Sequence, residues 1–157
     1  MRSAVGCGKS GASIRRQPGV KADMATIKKI NHIAIAVSDL EESLAFWRDS
    51  LGIQMDHIED VPNQKVRVAF LPVGDGEVEL VQPTDDASGT ARFIRERGQG
   101  LHHLCLEVDD LEDFVADLSV KGVRLINRQA VEMEDRRFVF IHPKSTGGVL
   151  IELYELK

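Results

Sequence analysis

The sequence predicts an α+β fold in which two paired βαβββ modules form a curved mixed sheet. Three observations carry that expectation. A chain of 157 residues with 43% hydrophobic and 29% charged side chains suits one folded unit with a sizeable core. The chain also repeats itself. Residues 31–41 (NHIAIAVSDLE) align with 102–112 (HHLCLEVDDLE) at an offset of 71, which sets His32 on His103. Residues 68–80 (VAFLPVGDGEVEL) align with 139–153 (VFIHPKSTGGVLIEL), which sets Glu79 on Glu152 at an offset of 73. Finally, each copy runs through the same periodicities: an alternating run, an Asp-Leu-Glu helix start, then three further apolar runs.

The elements follow in order. Residues 1–26 read as a disordered basic extension, because 1–23 hold five basic side chains against Asp23 alone, with much Gly and Ser and no apolar period. They lack the apolar stretch of a secretory signal. A start at Met24 is the plainer reading and a transit segment the other. Residues 27–157 read as a single domain, with halves at about 28–84 and 99–157. Residues 30–37 alternate and predict a strand. Ser38 or Asp39 then caps a helix over 40–51, whose apolar face is Leu40, Leu44, Phe46, Trp47 and Leu51 and which Gly52 stops. Strands are expected at 53–60, 65–72 and 77–83, the last two joined at Gly74-Asp75-Gly76. A linker helix spans 88–98. The second half repeats the order, with a strand at 101–108, a helix at 110–121, and strands near 123–127, 136–142 and 148–154. The run 132–137 (EMEDRR) reads as a solvated loop. Neither half is long enough for a comfortable core alone, so the halves are expected to pair.

Charge and cysteine content narrow the function. The net charge of -5 gives no electrostatic footprint for nucleic acid or an anionic membrane. No apolar run approaches the roughly 20 residues that span a bilayer. Two cysteines, Cys7 in the head and Cys105 in a strand, make no disulfide framework and suit a reducing compartment. That compartment is the cytoplasm, or the mitochondrial matrix if the head is a transit segment.

The repeat also aligns four polar residues. His32 and His103 sit on alternating strands, and Glu79 and Glu152 lie mid-strand between apolar neighbours, where an unpaired carboxylate is costly. A pseudo-two-fold between the halves would bring all four to one point. Two imidazoles with two carboxylates suit Mn²⁺, Co²⁺, Ni²⁺, Fe²⁺ or Zn²⁺ and not Cu⁺. An octahedral ion held by four side chains keeps two positions for a bidentate substrate. The alternative for each residue alone is ordinary: a satisfied strand histidine or a solvent-facing glutamate. His57 reads as solvated, His102 as facing away from His103, His142 as a strand end, and Trp47 and Cys105 as core.

These segments carry a resemblance. INHIAIAVSDLEESLAFWRDSLG, KVRVAFLPVGDGEVELVQP, GQGLHHLCLEVDDLEDF and FIHPKSTGGVLIEL resemble the vicinal oxygen chelate (glyoxalase/bleomycin-resistance) superfamily, and within it residues 28–157 resemble the methylmalonyl-CoA epimerases. The resemblance implies a glyoxalase-like fold and His32, Glu79, His103 and Glu152 as ligands of one divalent ion, Co²⁺ or Mn²⁺ first and Ni²⁺ or Zn²⁺ next. It implies a homodimer and an acyl-CoA substrate, 2-methylmalonyl-CoA, epimerised at C2 through proton abstraction and a metal-stabilised enolate. Glu152 would serve as an acid/base as well, and Lys144 and Ser145 would help hold the acyl-CoA. Family members carry Gln or Glu at the position of Glu79. Two departures stand out. Some members have a Glu two residues after a QGV motif, whereas this chain reads Gln64-Lys65-Val66-Arg67-Val68, with Val68 in that place. Many have a Gly-rich turn where this chain has 132–137.

Two rival functions share the fold. A glyoxalase I-like lactoylglutathione lyase of the bacterial kind uses the same ligand set, so the ligands do not separate it from the epimerase. A metal-free small-molecule binding or resistance protein predicts lost ligands, and all four are present.

Overall fold

The structure, a computed structural model, describes residues 25–157, so the part of the expected extension at 1–24 lies outside the described residues. Thr26, which the sequence places in that extension, is tied down: its amide and hydroxyl both donate to the Asp109 carboxylate, at 2.6 and 2.5 Å.

In the first half, β1 (Ile27–Ala36) leads into a short helix, α1 (Leu40–Leu44), and then into β2 (His57–Val61), β3 (Val66–Val73) and β4 (Gly76–Pro83). A linker helix, α2 (Gly89–Arg97), follows. The second half runs β5 (Gly100–Val108), α3 (Leu111–Val120), β6 (Val131–Glu132), β7 (Arg136–Ile141) and β8 (Leu150–Leu156). All eight strands join one mixed sheet in the order β2-β3-β4-β1-β5-β8-β7-β6. Pairing is parallel for β1 with β4 and for β5 with β8, and antiparallel for β1 with β5. The sheet is therefore a palindrome of the two halves. Its centre is the pair Ile33–Leu104, each the repeat equivalent of the other.

The repeat extends to the helix starts. Asp39 and Asp110, 71 apart, each accept a hydrogen bond from the amide three residues on, Glu42 and Asp113, at 2.8 and 3.0 Å. Of the two expected caps, Asp39 is the one used. Both helices pack on one face of the sheet. Leu40 and Leu44 meet Leu71 and Leu80, and Leu111 meets Val139, Ile141 and Leu153. The opposite face holds two smaller clusters, Ala34 with Val66, Val68, Phe70 and Val81, and Cys105 with Phe138 and Tyr154.

Several expected boundaries move. The helix expected over 40–51 is α-helical only to Leu44. From Ala45 to Ser50 it widens into a π-turn, closed by Leu51 N–H donating to the Phe46 carbonyl at 2.9 Å. That widening rotates Phe46 and Leu51 outward (both 54% exposed), while Trp47 stays against the core. Gly52 ends the segment at φ 75°, as a glycine is suited to do. The expected strand 53–60 begins only at His57. The expected strand at 123–127 is reduced to one bridge, Leu125 with Ile141, and the hairpin partner of β7 is instead Val131–Glu132. The run 132–137 is accordingly not a free loop. Arg137 donates from Nε to Glu155 and from Nη1 to Glu112, both at 2.9 Å, and Arg136 lies over the Tyr154 ring. Among the described residues, no helix is long and apolar enough to cross a membrane.

Candidate active site

The register brings the four predicted residues together on the face opposite α1 and α3. Across β1 and β4, Ala34 pairs with Glu79. Across β5 and β8, its repeat equivalent Cys105 pairs with Glu152. Across the central seam, His32 faces Cys105 and His103 faces Ala34. The two imidazoles and two carboxylates thus surround Ala34 and Cys105. Both small residues are fully buried, which leaves the larger side chains room to meet above them.

They do meet. His32 Nε2 lies 3.0 Å from His103 Nε2, and Glu152 Oε2 lies 3.4 Å from the first and 3.0 Å from the second. Glu79 Oε1 is 3.5 Å from His32 Nδ1. His32, His103 and Glu152 are only 6–8% exposed. Burial penalises the charge of Glu152, Glu79 and His32, yet the outcomes differ. Glu152 is depressed to about 2, because hydrogen bonds and charge from His103 and His32 outweigh its burial. Glu79 is pushed up, since its burial is only partly offset by the same histidines. His32 is raised: burial opposes its charge, but the Glu152 bond and the charges of Glu79, Glu152 and Glu77 prevail.

The donor set fits a metal ion. Three ligand atoms, two imidazole nitrogens and a carboxylate oxygen, lie 3.0–3.4 Å apart. Two ligands at right angles about 2.1 Å from one ion stand about 3 Å apart. His32, Glu79 and His103 offer ligand atoms within 4.8 Å of one another, and so do His32, Cys105 and Glu152. Burial drives the Cys105 thiol far above its ordinary value, so it remains protonated and acts as packing.

Other predictions fare unevenly. His102, expected to face away from His103, lies beside it, with the two Nδ1 atoms 2.9 Å apart and the rings 5.2 Å apart. A bulge explains this. Ala34 pairs with His103 but Ile35 pairs with Leu101, so alternation breaks at His102. Burial, aided by His103, lowers His102 to about 4 and keeps it neutral. His57 is half exposed as expected, but it stacks flat on Phe70, with centroids 4.4 Å apart. His142 follows the last residue of β7 and caps the turn Pro143–Ser145. Val68 is buried on the same face, paired with Val81 two positions from Glu79. One residue was overlooked. Glu77 lies opposite His32 on β4 and shares a face with Glu79, and its carboxylate is raised by burial. The alternation Glu77-Val78-Glu79 was the available signal.

Beside the cluster opens a cavity of about 1220 Å³, lined by His102, Phe138 and Phe140 with the cations Arg92, Arg97 and Lys144. The four clustered residues are not among its lining. Phe140 and His102 link the two places, Phe140 stacking edge-on to His103 at 5.7 Å. Lys144 therefore faces the cavity. Ser145 does not: its Oγ accepts from the Arg124 amide at 2.9 Å, a structural bond.

A duplicated βαβββ sheet with two histidines and two glutamates converging on one face defines a glyoxalase-like protein. Residues 31–140 match the Glyoxalase/Bleomycin resistance protein/Dioxygenase superfamily. The mitochondrial methylmalonyl-CoA epimerase of Mus musculus is 33% identical over 155 residues, 98% of this chain and 87% of that protein. The crystal structure of methylmalonyl-CoA epimerase from Mycobacterium tuberculosis superposes with a TM-score of 0.75 at 35% identity, covering 88% of this chain and 93% of that one. A Streptomyces coelicolor methylmalonyl-CoA epimerase in complex with 2-nitronate-propionyl-CoA gives 0.76 at 31% identity, covering 83% and 95%. The chain belongs to the methylmalonyl-CoA epimerase family of that superfamily.

Proposed function

We propose that this chain interconverts the R and S forms of 2-methylmalonyl-CoA by removing the C2 proton and returning it on the other face. The observation that carries the reading is the convergence of His32, Glu79, His103 and Glu152 beside a cavity lined by cations.

The four side chains would hold one divalent ion, Co²⁺ or Mn²⁺ first and Ni²⁺ or Zn²⁺ next, as suits imidazole with carboxylate. When bound, such an ion supplies Lewis-acid stabilisation of the charge that develops on the thioester oxygen. Glu152, held ionised between two imidazoles, is the carboxylate that carries the proton on one side. Inversion needs a second carrier on the other side. With Val68 apolar, the first half offers Glu77, half-buried on the same face as Glu79 and opposite His32. Lys144, Arg92 and Arg97 suit the phosphates of an acyl-CoA, and Phe138 and Phe140 suit its apolar arm. Ile27 and Ile30 of β1, both 53% exposed, leave an apolar strip that suits a second copy in a homodimer.

The test is exchange of the C2 proton in deuterated buffer, followed by NMR, with Co²⁺-loaded and chelator-stripped protein. Metal-dependent deuterium uptake with R–S conversion is expected. No uptake by folded, metal-loaded protein would overturn the reading and favour the lactoylglutathione lyase.

A further inference from the structure

Each candidate ligand histidine is preceded by a residue whose side chain reaches its other ring nitrogen. Asn31 Oδ1 lies 3.0 Å from His32 Nδ1, and His102 Nδ1 lies 2.9 Å from His103 Nδ1. Asn31 and His102 are 71 residues apart, so they are repeat equivalents of unlike chemistry.

The direction of the first bond is determined by its surroundings. Asn31 Nδ2 donates to Glu107 Oε2 at 3.1 Å. Glu107 is buried (4% exposed) yet paired with Lys28 at 3.0 Å and Lys29 at 3.7 Å, so it is an anion and only accepts. The amide nitrogen of Asn31 must therefore face Glu107, which turns its oxygen to His32. An oxygen there can only accept, so the proton of His32 sits on Nδ1 and the lone pair on Nε2. Glu79 Oε1, 3.5 Å from the same Nδ1, adds to that bias. At the second histidine, His103 Nε2 faces His32 Nε2 and Glu152 Oε2, each at 3.0 Å. An ionised Glu152 accepts there, so the metal-free His103 carries its proton on Nε2, which also donates toward the His32 Nε2 lone pair.

We infer that Asn31 is a positioning residue that holds His32 as the Nδ1–H tautomer, so that its Nε2 lone pair points into the cluster, with Glu107 orienting Asn31. This rests on the metal reading above, but the tautomer of His32 is set by Asn31 whether or not metal is bound. Residues bonded to the far nitrogen of a ligand histidine typically change metal affinity by about 10–100-fold when removed.

The experiment reads ring ¹⁵N shifts of His32 and His103 by two-bond ¹H–¹⁵N correlation in metal-stripped protein at about pH 9, above the ordinary imidazole range. It is paired with Zn²⁺ affinity by chelator competition. His32 is expected as Nδ1–H in the unaltered chain. Asn31→Ala should mix the tautomers of His32, leave the ring of His103 as it was, and raise the Zn²⁺ dissociation constant by about 10–100-fold. Asn31→Asp, whose carboxylate also only accepts, should keep His32 as Nδ1–H. Unchanged His32 shifts in Asn31→Ala would overturn the inference, even if Zn²⁺ binds. So would perturbation of both rings, which marks a general packing loss. The Nδ1–H tautomer with no Zn²⁺ binding would sink the metal reading and leave the positioning role intact.

Discussion

In the first half, β2 runs for five residues beside β3, and His57 from β2 lies flat on Phe70. In the second half the equivalent strand is two residues long, and Phe138 and Phe140 of β7 line the cavity instead. The two carboxylates diverge in the same way. Glu152 is clamped by both imidazoles and held at about 2, while Glu79 lies 3.5 Å from His32 and is raised by its burial. A duplicated motif thus packs one copy's wall strand on itself and lets the other copy supply most of the cavity lining. It also gives its two equivalent carboxylates different proton affinities, which is how one fold separates roles between like groups.

The sharpest test of that asymmetry is on activity. Glu152→Gln should lower kcat/KM for proton exchange by about 10²–10⁴-fold, as loss of an acid/base group does. Glu79→Gln should cost no more than about tenfold, because an amide oxygen still ligates. Equal losses would break the division of roles.

Stability should separate the pair by sign. In metal-stripped protein at neutral pH, Glu152→Gln should destabilise by about 2–4 kcal/mol, since a carboxylate depressed from 4.5 to about 2 favours the folded state when ionised. That contribution is complete above the ordinary carboxylate pKa and is lost as pH falls toward about 2. Glu79, raised by burial, has the opposite sign: it opposes folding once ionised, so Glu79→Gln should stabilise at neutral pH. Urea titrations of both variants at pH about 7 and about 3 check this.

Binding should report the cavity. Lys144→Ala should raise KM for a CoA ester by about tenfold with kcat unchanged, as loss of one phosphate contact does. The same substitution at Lys65, which is paired with Asp85 on the surface and does not line the cavity, should leave KM alone. The smallest effect concerns the β2–β3 turn, where Lys65 takes φ 56°, a conformation that suits glycine. Lys65→Gly should stabilise by up to about 1 kcal/mol, because relief of the left-handed backbone exceeds an exposed ion pair.

What could be read from the chain was what the repeat carries. Matching His32 to His103 and Glu79 to Glu152 located the cluster, because a pseudo-two-fold maps equivalents onto one axis. Asp39 and Asp110 marked both helix starts. What escaped depends on partners rather than on local pattern. The side of β5 on which His102 falls is decided by a bulge against β1, and alternation alone points it the wrong way. The apolar run at 123–127 has strand character, but β7 pairs with Val131–Glu132, and only the folded sheet makes that choice. The π-turn that turns Phe46 outward leaves no trace in a 3.6-residue period.

The central pair Ile33–Leu104 has a consequence for how the cluster assembles. Because each residue there meets its own repeat equivalent, the β1–β5 seam has the form of a self-complementary dimer interface drawn within one chain. The α2 linker makes the association of the halves intramolecular, with an effective concentration on the order of millimolar for a short tether. Assembly of His32 with His103 is thereby independent of how dilute the protein is. With one copy no longer bound to mirror the other, Asn31 and His102, or Glu77 and Leu150, could become different residues without undoing the seam that joins them.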